Sequence, residues 1–329
     1  MGINETSKFC DRQARKTNEP KMAVSLVQPS GEMWKKIRVE LNEDINTRER
    51  DLATIKEWLR KQPHLPNEWD DNCLMTFLRG SSFSLEKCKR KLDMYFTMRA
   101  ACPEFFANRD INRTELTELM SRAQGPTLPG LTPQGRRVTF CRALDKDVDT
   151  NMLNDAFKIA MMIGDIRLKE EIEGVAGDIY VLDASTIIPS HLGKVSPAAI
   201  KKFMICVQEA YPVKLKEVHI INASAIVDAA YNIVKPFLKE KMKNRIFFHT
   251  DITELQKYIP KEIIPIEYGG NGCSMEEVNI AWMKKLEEYI PWFKEQENIK
   301  ADEALRPGKP TNYDELFGID GSFRQLSID

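Results

Sequence analysis

Two different spacings of apolar positions divide the chain. From about Glu32 to Arg122 the apolar residues recur at helical intervals. Leu41, Ile45, Leu52, Ile55 and Leu59 form one run, which Pro63 ends. Asp71 is placed to cap a short helix through "CLMTFLR" that stops at Gly80. Ser84 is placed to cap another, with Leu85, Cys88, Leu92 and Phe96 on one face, ending before Pro103. The expected product is a small helical bundle. "GPTLPGLTPQG" (125–135) reads as turns. Beyond it, short apolar runs alternate with helices. "RVTFCRAL", "DIYVLD", "EVHIINA" and "RIFFHTD" read as strands, with helices near 154–172, 196–211 and 224–243 between them. Ser196 as N-cap and Pro197 at the first helical position mark the second of these helices. A last helix spans about Met275 to Glu297, followed by a polar, Pro-containing tail. Such alternation predicts an α/β fold with a mainly parallel sheet and helices against it.

Two helices carry more apolar surface than one buried stripe requires. In "NDAFKIAMMIGDIRL", Phe157, Ala160, Met161, Gly164 and Leu168 form one stripe, and Ile159, Met162, Ile163 and Ile166 widen it. In the helix after Ala223, Val227, Tyr231, Val234 and Leu238 form one row beside Ile226, Ala230, Ile233 and Phe237. Pro236 is expected to kink or break that helix. These residues alone leave two readings open. The helices are central core, or they wall an apolar cavity and one of them also meets something apolar outside.

Composition narrows the classes. The 329 residues are 42% hydrophobic and 29% charged, in the range of a soluble globular protein of one large or two ordinary domains. A formal net charge of -1 gives no bulk attraction to nucleic acid, so an electrostatic partner has to be met by a local patch. One patch stands out: Lys239, Lys241, Lys243 and Arg245 follow the apolar helix, opposed within it only by Glu240. Cations at a helix C-terminus also favour the macrodipole, and that reading stays open. The seven cysteines are odd in number and lack a CxxC pair, which points to reduced thiols, a cytosolic setting and no zinc framework. No apolar run approaches the roughly 18 residues of a membrane span. "MGINET" fits the short M-G-x-x-x-[ST] pattern for myristoylation at Gly2, within a segment (1–31) otherwise expected to be a disordered tail.

The motifs of enzymes built on such sheets are missing. There is no G-x-G-x-x-G, no P-loop ("HLGKVS" lacks the leading glycine) and no G-x-S-x-G elbow. His64, His191, His219 and His249 are scattered, and His219 and His249, within predicted strands, read as structural histidines. No catalytic residue, metal site or cofactor is assigned. A triad assembled from distant residues, as in an α/β-hydrolase-like enzyme, is the remaining catalytic alternative.

"AYPVKLKEVHIINASAIVDAAYNIVKPFLKEKMKNRIFFH" followed by "IPIEYGG" resembles the signature half of the CRAL-TRIO lipid-binding family, in particular its tocopherol-, retinaldehyde- and clavesin-type branches. "DDNCLMTFLRGSSFSLEKCKRKLDMYFTMRAACPEFF" resembles the helical module that precedes that domain, and "LRPGKPTNYDELFGIDGSFRQLSID" resembles the ending of insect members. The likeness covers about residues 35–329. It implies a helical N-terminal module (32–124), a lipid-binding domain (125–275) whose sheet floors an apolar pocket under a movable gate helix, and a C-terminal helix and tail (276–329). It further implies a monomeric, cytoplasmic carrier of one hydrophobic ligand, peripheral on endosomal or plasma membranes, exchanging cargo at phosphoinositide-bearing bilayers. A phosphoinositide-binding trafficking adaptor is the alternative within the same family.

Carried over residue by residue, the resemblance assigns the pocket wall to Phe157, Ala160, Met161, Gly164, Tyr180, Leu182, Phe203, Cys206, Val207, Tyr211, Val213 and Val218. Nearly all are apolar, with Tyr180 and Tyr211 as the polar tips. On the gate, about Asn222 to Arg245, Val227, Val234 and Leu238 would face the ligand, and Ile226, Ala230 and Ile233 the membrane. A head-group cleft would be formed by Arg90, Lys214, Lys216, Lys241 and Arg245. Two departures are visible. Ala160 and Gly164 stand where the tocopherol-type branch has serines, which leaves retinoid, other prenyl, sterol-like or phospholipid cargo open. Ser81 stands where a cleft cation is expected.

Overall fold

The computed structural model describes residues 24–146 and 152–318. Gly2 and the proposed tail before Val24 lie outside the described residues, as does the chain after Gly318. The bundle is built from α1 (Gly31–Leu41), α2 (Arg48–Arg60), α3 (Asp71–Gly80), α4 (Leu85–Ala101), the single turn α5 (Pro103–Phe106) and α6 (Thr114–Arg122). The cap of α3 falls one residue earlier than the expected Asp71. Asp70 Oδ1 accepts from the Asn72 and Cys73 amides at 2.8 and 3.2 Å. Ser84 stands at the N-cap of α4 without a side-chain hydrogen bond.

The sheet comprises β1 (Ala123–Gln124), β2 (Thr127–Leu131), β3 (Arg136–Ala143), β4 (Gly177–Asp183), β5 (Leu215–Ile221) and β6 (Ile246–Phe248). Strands β3 to β6 are parallel in sequential order; β1 and β2 pair antiparallel with β3. Strand β2 lies inside "GPTLPGLTPQG", read from sequence as turns. Pro129 and Gly130 hide it, and an edge position tolerates them because a proline there forfeits no central ladder bond. The fourth expected strand is shorter than "RIFFHTD", so His249 lies just past it.

The crossover helices are α7 (Leu153–Glu170), α8 (Pro189–Leu192), α9 (Pro197–Ile205) and α10 (Ala225–Val234). Ser196 caps α9 as expected, accepting from the Ala199 amide at 3.3 Å. That helix does not run on regularly to 211, because Cys206–Ala210 widens into a π-helical turn. The expected helix 224–243 is three pieces: α10, a 3₁₀ turn at Lys235–Phe237 containing Pro236, and the short α11 (Glu240–Lys243). The C-terminal helix likewise divides into α12 (Met275–Glu288) and α13 (Ile290–Gln296). "EYGG" is a tight turn. Gly269 has φ +72°, and a Cβ on Gly270 would lie 1.9 Å from the Ile264 carbonyl oxygen.

The excess apolar surface of α7 has a structural cause: the helix is buried on two sides and open on a third. Met161 and Leu168 join the bundle core with Leu92, Tyr95 and Phe96. Ile159, Met162, Ile163 and Ile166 join a second core around Trp282 and Phe293 of α12 and α13. At 100° per residue these sets lie well apart, and Ala160, Gly164 and Arg167 occupy the remaining sector. The first stripe read from sequence therefore mixes two faces.

Asp165 fixes the rotation of α7. It accepts from Tyr95 Oη (2.8 Å), Tyr211 Oη (2.6 Å), Arg99 Nη1 (2.8 Å) and Arg109 Nη1 (2.6 Å), all buried. Burial alone would raise the Asp165 carboxyl. Arg99 and Arg109, then the two phenols, outweigh it and hold the group below the ordinary carboxylate range. The chain end is also docked. Arg306 pairs with Asp93 and Glu303, the Ala301 amide donates to the Phe96 carbonyl at 3.0 Å, and Phe317 of α14 (Tyr313–Phe317) packs on the bundle core.

The expectation of reduced thiols holds at five positions and fails at Cys273. Cys73, Cys88, Cys102, Cys141 and Cys206 are free, whereas Cys273 is disulfide-bonded. Among the described residues no helix is long and apolar enough to cross a membrane.

Asp165→Asn keeps the shape and removes the charge, leaving two buried guanidinium groups without their counter-ion. Urea unfolding at pH 7 is expected to show a loss of about 3 to 5 kcal/mol. Since the folded pKa is depressed, this contribution is complete above the ordinary aspartate value and disappears as pH falls through the folded value. Parent and variant should converge in acid; a variant as stable as the parent at pH 7 removes the hub.

Candidate functional site

The two faces of the sheet differ sharply. On one, Val138, Phe140, Ile179, Val181, His219 and Ile221 are buried, most of them packed with Leu255, Ile259, Ile263, Ile264 and Met275. On the other, the parallel register aligns Thr139, Tyr180, Val218 and Ile246 in one row and Cys141, Leu182, Ile220 and Phe248 in the next. Apart from the buried Thr139, these side chains are half-buried, and Phe248 is 42% exposed. Two groups of this face are poorly solvated: burial pushes the Cys141 thiol up to about 12 and raises the Tyr180 phenol. Two adjoining rows of half-buried, mostly apolar side chains make a candidate wall for a hydrophobic ligand.

Helix α10 meets this face through Tyr231 on Phe248 and packs on α8, α9 and the 3₁₀ turn, while α9 packs chiefly on the π-helical turn. Helix α10 reads "AIVDAAYNIV", yet Val227 is its only buried residue. Ile226, Ala230, Tyr231, Ile233 and Val234 are half-buried, and the Tyr231 ring meets Phe248 edge-on at 5.4 Å. A helix this apolar seated on a sheet would bury one full row. Here the apolar residues other than Val227 stay partly accessible. Leu238 closes the far end, 8% exposed.

The residues carried over from the resemblance separate into groups. Tyr180, Leu182 and Val218 lie on the open sheet face; Ala160, exposed, and Gly164, half-buried, lie on the open sector of α7. Met161, Cys206 and Tyr211 instead belong to the core shared with the bundle, at 4%, 0% and 3% exposure. Phe157, Phe203, Val207 and Val213 line that seam half-buried, with Phe157 and Phe203 stacked at 4.0 Å. Tyr211 does not offer a free polar tip, because Asp165 holds its hydroxyl. Gly164 is accordingly a packing glycine: a Cβ there would lie 3.1 Å from Tyr211 Cε1.

The cleft cations also sort themselves. Lys214 Nζ donates to Ser82 Oγ at 2.6 Å, and its pKa falls to about 8 through burial, then the charges of Lys216 and Lys87, with Glu40 opposing and Lys241 adding. Arg90 is exposed on α4 and is not among these strongest neighbours; nor is Arg245, whose guanidinium donates to the Leu215 carbonyl. Lys216 pairs with Glu40, and Lys239 with Glu209. Lys87 and Lys241 are exposed and make no ion pair among the described residues. Ser81 lies outside the cleft: it is 1% exposed, and its neighbour Ser82 holds the position facing Lys214.

Three participants were not singled out from the sequence. Lys87 is one. Lys91, one turn further along α4, donates to the Tyr211 carbonyl at 2.6 Å and is lowered to about 8 by burial, then by Lys87. The i,i+4 spacing of these two lysines was the available signal. Gln208 is the third. Its Nε2 donates to the Phe237 carbonyl and its Oε1 accepts from the Lys239 amide, both at 2.9 Å, so one amide pins the end of the gate. No sequence signal marks it.

His219 and His249 lie on the closed side. Their rings contact each other at 3.0 Å (Nδ1 to Nε2), and each also meets a carboxylate, Glu217 at 3.2 Å and Glu254 at 3.3 Å. Burial lowers His219. All four ring nitrogens are engaged, which fits the structural reading.

Comparison with known proteins follows this geometry. A Pinta-like, UBA domain profile matches residues 44–116, and a CRAL/TRIO domain profile matches residues 124–270. The alpha-tocopherol transfer protein-like protein of Mus musculus is 28% identical over 263 residues, 78% of this chain and 76% of its own length. Its Homo sapiens namesake is 29% identical over 244 residues, 73% and 70% of the two chains. Clavesin-1 of Xenopus laevis is 25% identical over 241 residues, 73% of each. Among solved structures, Sfh5 aligns at 13% identity with a TM-score of 0.44, covering 79% of this chain and 98% of that one, too weak a likeness to build on.

Two substitutions test the assignments. Gly164→Ser has to displace the Tyr211 ring and is expected to destabilise by about 1 to 3 kcal/mol in thermal or urea melts. A neutral result would mean the hydroxyl sits in open cavity. Gln208→Leu removes both gate tethers and is expected to raise hydrogen exchange at the Lys239 amide by about tenfold; unchanged protection would show that the amide does not hold the gate.

Proposed function

Because the chain belongs to the CRAL-TRIO family, we propose that it carries one small hydrophobic molecule, of retinoid, tocopherol-like or other prenyl type, and exchanges it at phosphoinositide-bearing membranes when the gate opens. The observation that carries this reading is the half-buried, mostly apolar sheet face beside an incompletely buried gate helix. A molecule filling that space removes its apolar lining from the solvent, worth roughly 25 cal/mol per Å². The proposed organisation is a helical module at 32–124, a lipid-binding domain at 125–275 and a C-terminal segment from 276. The proposed state is a cytoplasmic monomer, transiently peripheral on endosomal or plasma membranes. No catalytic step is invoked.

The basic cleft favours a second reading, a phosphoinositide-recognising trafficking adaptor in which cargo is secondary. Several cations drawn from α4, β5 and α11 suit a multivalent phosphate, because single exposed charges are screened. Lys87 and Lys241 are the residues to remove, being exposed and without ion pairs.

Solvent extraction of purified protein followed by mass spectrometry is expected to release an apolar molecule at near one per chain. A reproducibly empty protein that takes up none of the offered retinoids or prenyl lipids would end the carrier reading. In flotation with phosphoinositide-containing vesicles, Lys87→Ala with Lys241→Ala should weaken binding roughly thirtyfold, at about 1 kcal/mol per cation, with an unchanged Tm. Because Lys214 loses its charge near pH 8 instead of near its ordinary value, parent binding should fall as pH rises from 7 to 9. A flat pH profile and an indifferent double variant would discard the cleft.

A further inference from the structure

Helix α9 buries little of itself. Of "PAAIKKFMI" only Ala199 and Ile200 are buried, and Lys201 to Ile205 are half-buried. Several of its ties run to the helical module and to the chain end. Lys202 Nζ pairs with Glu104 at 2.7 Å, and Phe203 stacks on Phe157, which in turn meets Phe105 edge-on at 5.7 Å. From the chain end, the Gly318 carbonyl accepts from Lys201 Nζ, and the Phe317 ring centre lies 5.1 Å from Lys202 Nζ. Helix α14 packs on α9.

The same chain end is clasped to the module. The Ala301 and Asp302 amides donate to the Phe96 and His64 carbonyls at 3.0 and 2.9 Å. Arg306 reaches both oxygens of Asp93 (3.0 and 2.7 Å) and Thr97 Oγ1 (2.8 Å). Glu303 closes the segment into a loop, its Oε2 accepting from Arg306 Nε at 2.6 Å and from the Thr311 amide at 2.8 Å. Burial alone would raise the Glu303 carboxyl. Arg306 and the Thr311 amide outweigh it and lower the group to about 2, so the clasp stays ionised at neutral pH. Beyond Thr311 the character changes. None of residues 312–318 is buried, and they make no ion pair among the described residues. They are held by the Leu316 and Phe317 side chains and by the contacts with Lys201 and Lys202. The inner end is a clasp; the outer end only rests on α9.

We propose that residues 301–318 form a strap that restrains α9, and that its outer end, Tyr313 to Gly318, lets go while the Arg306 clasp holds. Helix α9 runs directly into the π-helical turn whose Gln208 grips Phe237 and Lys239, so a strap seated on α9 also steadies the end of the gate. The inference rests on the carrier reading above and adds its regulation: cargo exchanges slowly with the strap seated and quickly with it released. Leu316 and Phe317 belong to the core shared with the bundle and not to the open sheet face. Their removal therefore changes uptake and release together and leaves the equilibrium affinity alone.

The test uses full-length protein, Nile red as the probe, stopped-flow uptake and release, and hydrogen exchange. Leu316→Ala with Phe317→Ala should speed both dye rates about five- to tenfold with an unchanged Kd, and raise exchange at the amides of 201–205 about tenfold. Exchange at the α4 amides around Asp93 should not move. Lys201→Met, which cuts one tie from the α9 side and leaves the strap's own side chains in place, should act in the same direction by about two- to threefold. If both variants keep the parent's rates and α9 protection, the strap falls while the carrier reading stands. A weaker Kd with an unchanged uptake rate would make Leu316 and Phe317 part of the pocket wall and overturn the strap. If the parent takes up no dye and yields no extractable lipid, the carrier reading fails and takes this inference with it.

Discussion

The buried carboxylate of Asp165 is the constraint on which the rest depends. A single anion in the interior collects two arginines and two tyrosines from α4, from the loop after α5 and from the exit of the π-helical turn. An unpaired charge at this depth would be prohibitive, so the three segments have to meet around it. Their meeting sets the rotation of α7. With Asp165 turned to the bundle, the isoleucine–methionine face turns to α12, and the Ala160–Gly164–Arg167 line is left looking over the sheet. The third face of the helix is thus defined by what the other two faces require.

The same cluster positions the support of the gate. Tyr211 is drawn to Asp165 by its hydroxyl, and its backbone carbonyl is held by Lys91. The turn that ends at Tyr211 contains Gln208, which grips Phe237 and Lys239 at the far end of the lid. Basic cleft and gate therefore share a backbone segment. Lys241 lies two residues from Lys239, whose amide Gln208 holds, and Lys87 lies one helical turn from Lys91, which holds the Tyr211 carbonyl.

The sheet divides the chemistry. Its closed face is sealed by apolar packing and by the His219–His249 pair, all of it structural. Its open face is a nearly continuous apolar floor that ends in a charge-balanced quartet of Arg137, Arg167, Glu171 and Asp178. Apolar walls supply the affinity of such a site and a few fixed polar groups its orientation.

Periodicity and capping made the element order legible: helices to Arg122, the four parallel strands, the break at Pro236 and the cap at Ser196 all follow from local rules. The basic cluster after the gate was legible as well, because charge density is local. Strand β2 was hidden, since its Pro and Gly carry turn chemistry and only pairing with β3 makes it extended. The partition of α7 was hidden for a more general reason. A sequence states how many apolar faces a helix has, not which neighbour each one meets. Tyr211 was read as a free polar tip on that account, although Asp165 holds its hydroxyl, and Gln208 carried no pattern at all. What the chain determined alone was the inventory of elements and charges. The tertiary structure decided which hydroxyls and guanidinium groups were consumed in holding the fold, because hydrogen-bond satisfaction in a buried site depends on residues far apart in sequence.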